Sequence, residues 1–336
     1  MADWGVVGHG WAVDLLAQAV RSDRVSHAYL FLGPEQVGKT TLAKAFAQAL
    51  VCERAGATGA PCGACRACRR VAEGRYPDVQ VIAAEKNWIQ IDQVRNLQID
   101  AAVAPLEGKR KVFVVQEIER ATPAAANALL KSLEVPPPHV VLLLTSNRRD
   151  MVLPTVLSRC QIIGLRAQPI DDVAKALQTR WAVDEDQAVL LARLSAGRLG
   201  WAVTAVTDAD MWQTRSKYLD DLLTLTGEGH VGRLNYAEGL SRSSGQVETA
   251  LGLWATWWRD VLLIQQGLLD HQGQVEALLN LDRKSQLIQQ AGLYRPEQVQ
   301  SALTDLIQTL RRVRGNVNVR LALDVLLLRL PKPAVT

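Results

Sequence analysis

The sequence predicts an α/β fold, a parallel sheet with helices on both faces, followed by helices alone. Three observations predict it. Short apolar runs alternate with helix-period segments through residue 165. Strand signals stop after Leu165. A glycine- and lysine-containing turn joins the first run to the next helical segment, as in α/β sheets that bind phosphate.

Taken in order, Ala28–Leu32 is an unbroken apolar run ending at Gly33 and reads as a buried parallel strand. Residues 40–51 read as a helix, with Leu42, Ala45, Phe46, Ala49 and Leu50 on one face. Val79–Ile82 is a second strand, Ile91–Ala101 a helix and Lys111–Val115 a third strand. Residues 124–133 form an Ala/Leu-rich helix stopped by Pro136, Pro137 and Pro138. Residues 140–144 are a fourth strand, ending in polar Thr145, Ser146 and Asn147. Beyond residue 165 the segments 169–179, 184–194 and 199–206 read as short helices. Polar or glycine-containing stretches at 207–210 and 226–232 mark boundaries, and the remainder is helical, closing with 317–330.

The 336 residues suggest two domains at roughly 150 residues each, or three if some are small. With 48% hydrophobic and 21% charged residues, the chain is not a disordered protein. No apolar run reaches the ~18 residues that span a bilayer, and the N-terminus lacks a secretory pattern, so no membrane is expected and the expected location is the cytoplasm. The net charge of +4 lies entirely in residues 1–165, with 19 basic and 15 acidic groups. That permits phosphate contact but is far from the basic stripe of a stand-alone DNA binder. Trp254, Trp257 and Trp258 fall in one helical stretch and read as core packing.

The sharpest motif is Gly33-Pro34-Glu35-Gln36-Val37-Gly38-Lys39-Thr40, a phosphate loop between strand and helix. Gly33 and Gly38 let backbone N–H groups approach phosphates, Lys39 reaches the β- and γ-phosphates, and Thr40 faces Mg²⁺. With Thr41, these are the candidate residues for ATP or ADP. The third strand ends Val114-Val115-Gln116-Glu117. Glu117 stands where a hydrolytic carboxylate belongs, but Gln116 replaces the metal-side Asp, and a neutral amide is a poorer partner for Mg²⁺-bound water. The residues favour nucleotide binding over hydrolysis. Cys52, Cys62, Cys65 and Cys68 suit tetrahedral structural Zn²⁺. An iron–sulfur cluster is the rival, but the usual fourth-Cys spacing and following Pro are missing. Arg66, Arg69 and Arg70 are placed to offset thiolate charge, and Cys160 is expected outside the site. Ser158-Arg159-Cys160 follows a short helix beyond the fourth strand.

Together these motifs resemble the AAA+ clamp-loader subunits of bacterial DNA polymerase III, and among them the delta-prime group. The matching stretches are Val7-Gly8-His9, His27 to Phe31, the phosphate loop, the four cysteines, Ile91 to Arg95, Asn127 to Glu134, Ser158-Arg159-Cys160, Trp258-Arg259-Asp260 and Asn316 to Asp324. The resemblance implies a RecA-like AAA+ module at 1–165 with a zinc insertion at 52–68, a helical lid at 166–207 and a helical collar at 208–336. It further implies a hetero-pentamer with gamma/tau and delta subunits that loads a sliding clamp onto primer–template DNA. In it this chain is a stator offering Arg159 as an arginine finger to ATP on a neighbour. Departures from the motor pattern are Gln116, Gly200 where a lid arginine is expected, and Val135 in place of a second Glu. Together with the lack of a C-terminal extension after Thr336, they set the alternative, an ATP-hydrolysing gamma/tau-type motor, behind the stator. Arg95, Lys131, Arg148 and Arg149 are candidate DNA contacts.

Overall fold

The computed structural model describes residues 4–267, 278–315 and 317–333. Asn316, which opens the C-terminal matching stretch, lies outside the described residues, as do Met1, Ala2, Asp3, Thr336 and the part of the helical run at 268–277. In chain order the elements begin α1 (Gly10–Arg21), β1 (Ala28–Leu32), α2 (Lys39–Val51), α3 (Ala55–Thr58) and α4 (Arg66–Ala72). They continue β2 (Val79–Ile82), α5 (Ile91–Ala101), β3 (Lys111–Val115), α6 (Pro123–Glu134), β4 (Val140–Ser146), α7 (Pro154–Leu157) and β5 (Gln161–Gly164). Helices follow: α8 (Ile170–Trp181), α9 (Glu185–Leu194), α10 (Leu199–Thr207), α11 (Ala209–Gly227) and α12 (His230–Leu240). The last are α13 (Ser244–Gln265), α14 (Lys284–Leu293), α15 (Pro296–Arg314) and α16 (Val319–Arg329). No helix among the described residues is long and apolar enough to cross a membrane. The chain forms two compact units, one of Met1–Ala176 with Gly197–Trp201, the other of Leu177–Ala196 with Ala202–Thr336.

The first unit is built on a five-stranded sheet of order β2-β3-β4-β1-β5, parallel throughout. Successive strand residues alternate between its faces. Tyr29, Phe31, Val112, Val114, Val141, Leu143 and Ile163 pack with Leu16 of α1 and with Leu42 and Phe46 of α2. Ala28, Leu30, Phe113, Val115, Leu142 and Leu144 pack with Val94 and Leu97 of α5 and with Leu129 and Leu133 of α6. Burial on both faces explains why the strands read as unbroken apolar runs. Two strands differ from expectation. β4 runs on through Thr145 and Ser146, both buried, because they pair with Phe31 and Leu32 of β1. β5 is not predicted, since Ile162 and Ile163 are a weak signal alone, and pairing with β1 makes them a strand. Helix α6 starts where Thr122 accepts the Ala125 N–H at 3.2 Å, with Pro123 in the first turn.

The second unit packs Trp254, Trp257 and Trp258 of α13 into one core with Leu219, Leu222, Leu287, Leu306 and Leu323. The Trp254 Nε1–H donates to the Tyr218 carbonyl at 2.7 Å. Helix α16 begins at Val319 rather than 317 because Asn318 is its cap, accepting the Leu321 N–H at 3.1 Å. Arg233, with no exposed surface, donates to Leu225 O, Thr226 O, Leu327 O and Leu330 O at 2.9–3.1 Å. The orphan carbonyls at the ends of α11 and α16 thus share one guanidinium, and its charge complements both helix dipoles. Lysine keeps the charge but has only three donors and no planar fork. Arg233→Lys should therefore cost roughly 1–3 kcal/mol, the cost of a buried carbonyl left unpaired. Denaturant unfolding followed by tryptophan fluorescence checks this, and an unchanged midpoint would refute it.

Candidate nucleotide site and cysteine cluster

The phosphate loop leaves the C-terminal end of β1 and opens α2. Glycine is required at two of its positions. A Cβ on Gly33 would lie 2.3 Å from the Leu165 carbonyl oxygen, and Gly38 has φ +104°. Lys39 is 5% exposed and donates from Nζ to Gly33 O at 2.9 Å and to Pro34 O. Burial lowers its pKa, opposed by the charges of Glu119, Glu35 and Glu117 in that order. Thr40 is half-buried and Thr41 exposed. The first turn of α2 points its N–H groups and dipole at the loop, a setting suited to anionic phosphate.

Glu117 follows β3 with φ 51°. Its N–H donates to Thr145 Oγ1 at 3.0 Å, and its carboxylate accepts Asn147 Nδ2 at 3.0 Å and pairs with Arg120 Nε at 2.9 Å. The Asn147 N–H donates to Glu119 Oε1 at 2.8 Å. Asn147, Glu119 and Arg120 carry no role in the sequence reading. Polar residues closing a buried strand beside the phosphate loop were the signal that could have found Asn147.

Gly200, read as the lid sensor position, supplies no cation, but Arg198 two residues before it does carry one. Burial lowers the Arg198 pKa while Glu35 of the loop opposes it, so the guanidinium lies within electrostatic reach of Glu35. Gly200 has a different task. Its N–H donates to Gln36 O at 2.9 Å, and a Cβ there would come within 2.7 Å of that oxygen. His9 joins the loop from the other side, with Nε2 3.1 Å from Val37 O and a ring nitrogen 3.0 Å from Gln168 Nε2. His9, Trp11, Gly164, Arg166 and Gln168 line an open cavity of about 540 Å³.

Arg159 sits between α7 and β5. Its Nη2 pairs with Glu134 Oε1 at 2.9 Å, and its Nη1 donates to Thr155 O at 3.0 Å and Ser158 Oγ at 3.2 Å. Parallel register sets Gln161 beside Tyr29, whereas the phosphate loop starts beyond Leu32. Arg159 and the loop therefore lie at opposite ends of the sheet, roughly 15–20 Å apart along the strand direction at ~3.3 Å per residue. Among the candidate DNA contacts, Arg95 on α5 pairs with Asp92 and Arg148 with Asp150, while Lys131 and Arg149 are exposed.

Cys52 ends α2, Cys62 lies in the following loop, Cys65 caps α4 and Cys68 lies in its first turn. Their four sulfurs lie within 4.8 Å of one another, as four ligands of one metal ion require. Backbone N–H groups already point at sulfur: Cys62 and Arg54 to Cys52, Cys65 to Cys62, Cys68 to Cys65, at 3.3–3.4 Å. Such donors favour thiolate, and they pull Cys62 down to about 6, while burial pushes Cys68 up. The donor set fits Zn²⁺. Cys160 lies apart, its thiol pushed up to about 12 by burial. Arg70, given a charge-offsetting task by the sequence, also has partners of its own. It pairs with Glu107 at 2.6 Å and lies 5.6 Å over the Tyr76 ring.

Residues 8–169 match the family described as "DNA polymerase III, delta subunit". The chain is 35% identical over 210 residues to the DNA polymerase III subunit tau of Escherichia coli, covering 61% of this chain and 32% of that one. It is 28% identical over 322 residues to the DNA polymerase III subunit delta' of Bacillus subtilis, covering 94% of each. It is 38% identical over 200 residues to the Pseudomonas aeruginosa subunit delta', covering 58% of this chain and 59% of that one. The chain thus spans about a third of the tau subunit and nearly all of one delta-prime subunit.

Proposed function

This chain belongs to the DNA polymerase III clamp-loader subunits, and on that premise we propose that it is the delta-prime stator. In this reading residues 1–165 are the AAA+ module, 166–207 the lid and 208–336 a collar that joins gamma/tau and delta subunits in a hetero-pentamer. The assembly loads a sliding clamp onto primer–template DNA, and Arg159 is offered to ATP on a neighbouring subunit. One observation carries the reading: Arg159 lies at the far end of the sheet from the chain's own phosphate loop. In this reading the triphosphate it serves belongs to another chain. The exposed apolar residues Leu321, Val325 and Leu328 on α16 support packing against other subunits.

The chain's own loop binds ATP or ADP in this reading, its N–H groups and Lys39 holding the phosphates and the Thr40 hydroxyl facing Mg²⁺. Bound Mg²⁺ would supply charge neutralisation at the phosphates. The second reading, a gamma/tau-type motor, draws support from Arg198 near the loop and from Glu117. Coexpression with gamma/tau and delta subunits separates them. The expected result is a stable complex, ADP binding by the isolated chain that Lys39→Ala abolishes, and negligible turnover by that chain. A brisk turnover that vanishes in Glu117→Gln would establish the motor instead, and failure to co-assemble would overturn both.

A further inference from the structure

We infer that Glu119 supplies the metal-side carboxylate of the nucleotide site, standing in for the Asp that Gln116 has replaced. The inference rests on reading residues 33–40 as a phosphate loop. A divalent cation bound with nucleotide needs hard oxygen ligands, usually one or two carboxylates besides the phosphates and water. Gln116, at the end of β3, offers only a neutral amide. Both Glu117 oxygens already have protein partners, one accepting from Asn147 Nδ2 at 3.0 Å and the other pairing with Arg120 Nε at 2.9 Å, so part of its charge is engaged.

Glu119 differs. Its Oε1 is fixed by the Asn147 N–H at 2.8 Å, while its Oε2 is buried with no hydrogen-bond partner among the described residues. A buried carboxylate oxygen without a donor is costly, and a cation relieves that cost. Of the three carboxylates whose charges act on Lys39, Glu119 acts most strongly, so it lies within electrostatic reach of the lysine assigned to the phosphates. Asn147 ties the arrangement together: its side chain holds Glu117 and its backbone holds Glu119. The charge lost at position 116 is thus restored three residues later, held directly against the metal or through its bound water.

The test uses the full chain with ADP and Mn²⁺ as probes. Calorimetry measures ADP affinity in EDTA and with the metal, and electron paramagnetic resonance counts bound Mn²⁺. Glu119→Gln should still bind ADP in EDTA, at least as tightly as the wild type because a negative charge near Lys39 is gone, and that binding also shows that it folds. It should lose 10–100-fold in Mn²⁺ affinity in the ternary complex, the usual effect of removing a metal-orienting partner. Adding Gln116→Asp to that variant should restore Mn²⁺ binding. Wild-type Mn²⁺ affinity in Glu119→Gln overturns the role of Glu119 and leaves the phosphate loop standing. No ADP binding by the wild type under either condition overturns the nucleotide reading, and this inference with it.

Discussion

Arg159→Ala, placed in the reconstituted complex, should slow single-turnover ATP hydrolysis at the site it serves by ~10³–10⁵. The isolated variant should keep its fold, metal and nucleotide affinity. The magnitude decides whether the arginine is available. Its present partner is Glu134, with side chains 34% and 51% exposed, and an exposed pair of this kind is worth about 0–1 kcal/mol. A rate factor of 10³–10⁵ corresponds to about 4–7 kcal/mol of transition-state stabilisation. Exchanging carboxylate for a phosphate in a shielded interface therefore costs little beside what it returns. In the proposed role, the bonds from Nη1 to Thr155 O and Ser158 Oγ would steady one side of the guanidinium while Nη2 exchanges partners. Arg159→Lys should recover only part of the rate, because an ammonium lacks the planar fork. Wild-type hydrolysis by the Ala complex would show that Arg159 only ties α7 to α6.

The second large effect concerns the cysteines. The purified chain should carry one Zn²⁺, and a strong chelator should open residues 52–72 to hydrogen exchange. Structural zinc contributes an apparent ~10–16 kcal/mol in small peptides that fold only around it. Here part of the segment has other support. Cys68 is fully buried in the core shared with α2, and Gln48 Nε2 donates to its carbonyl at 2.8 Å. The opening should therefore stay local, with α2 and the sheet remaining protected. Cys68→Ser should lose the metal and behave as the chelated chain. Elemental analysis showing iron, or exchange at 52–72 indifferent to chelator, would defeat the assignment.

The central sheet was legible because β1, β3 and β4 are buried on both faces, which favours long apolar runs interrupted only at strand ends by Lys111, Thr145 and Ser146. β5 was not, since an edge strand of Gln161-Ile162-Ile163-Gly164 is defined by what it pairs with. α1 carries its signal in Ala12, Val13, Leu16 and Ala17, a short helical stripe of mostly small residues. The phosphate loop and the cysteines were legible because their chemistry fixes local spacing. The surroundings of Lys39 were not. Glu119, Asn147 and Arg198 come from the ends of β3 and β4 and from the segment before α10, and no short motif joins them. Gly200 shows the same limit in reverse. Counting along the chain gave it a sensing position, whereas it is a glycine because Gln36 leaves no room for a Cβ.

The Arg233 guanidinium has a consequence for the order of events during synthesis. Two of its four acceptors, Leu225 O and Thr226 O, precede it, but Leu330 O lies 97 residues further on. At bacterial elongation rates of ~5–20 residues per second, the cation waits roughly 5–20 s on the ribosome before α16 exists to receive it. A charge cannot be sealed in an apolar core without its acceptors. Until α16 is available the three tryptophans of α13 should therefore gather only into a loose, hydrated assembly. A nascent chain stalled before α16 would present that unfinished surface to chaperones and proteases.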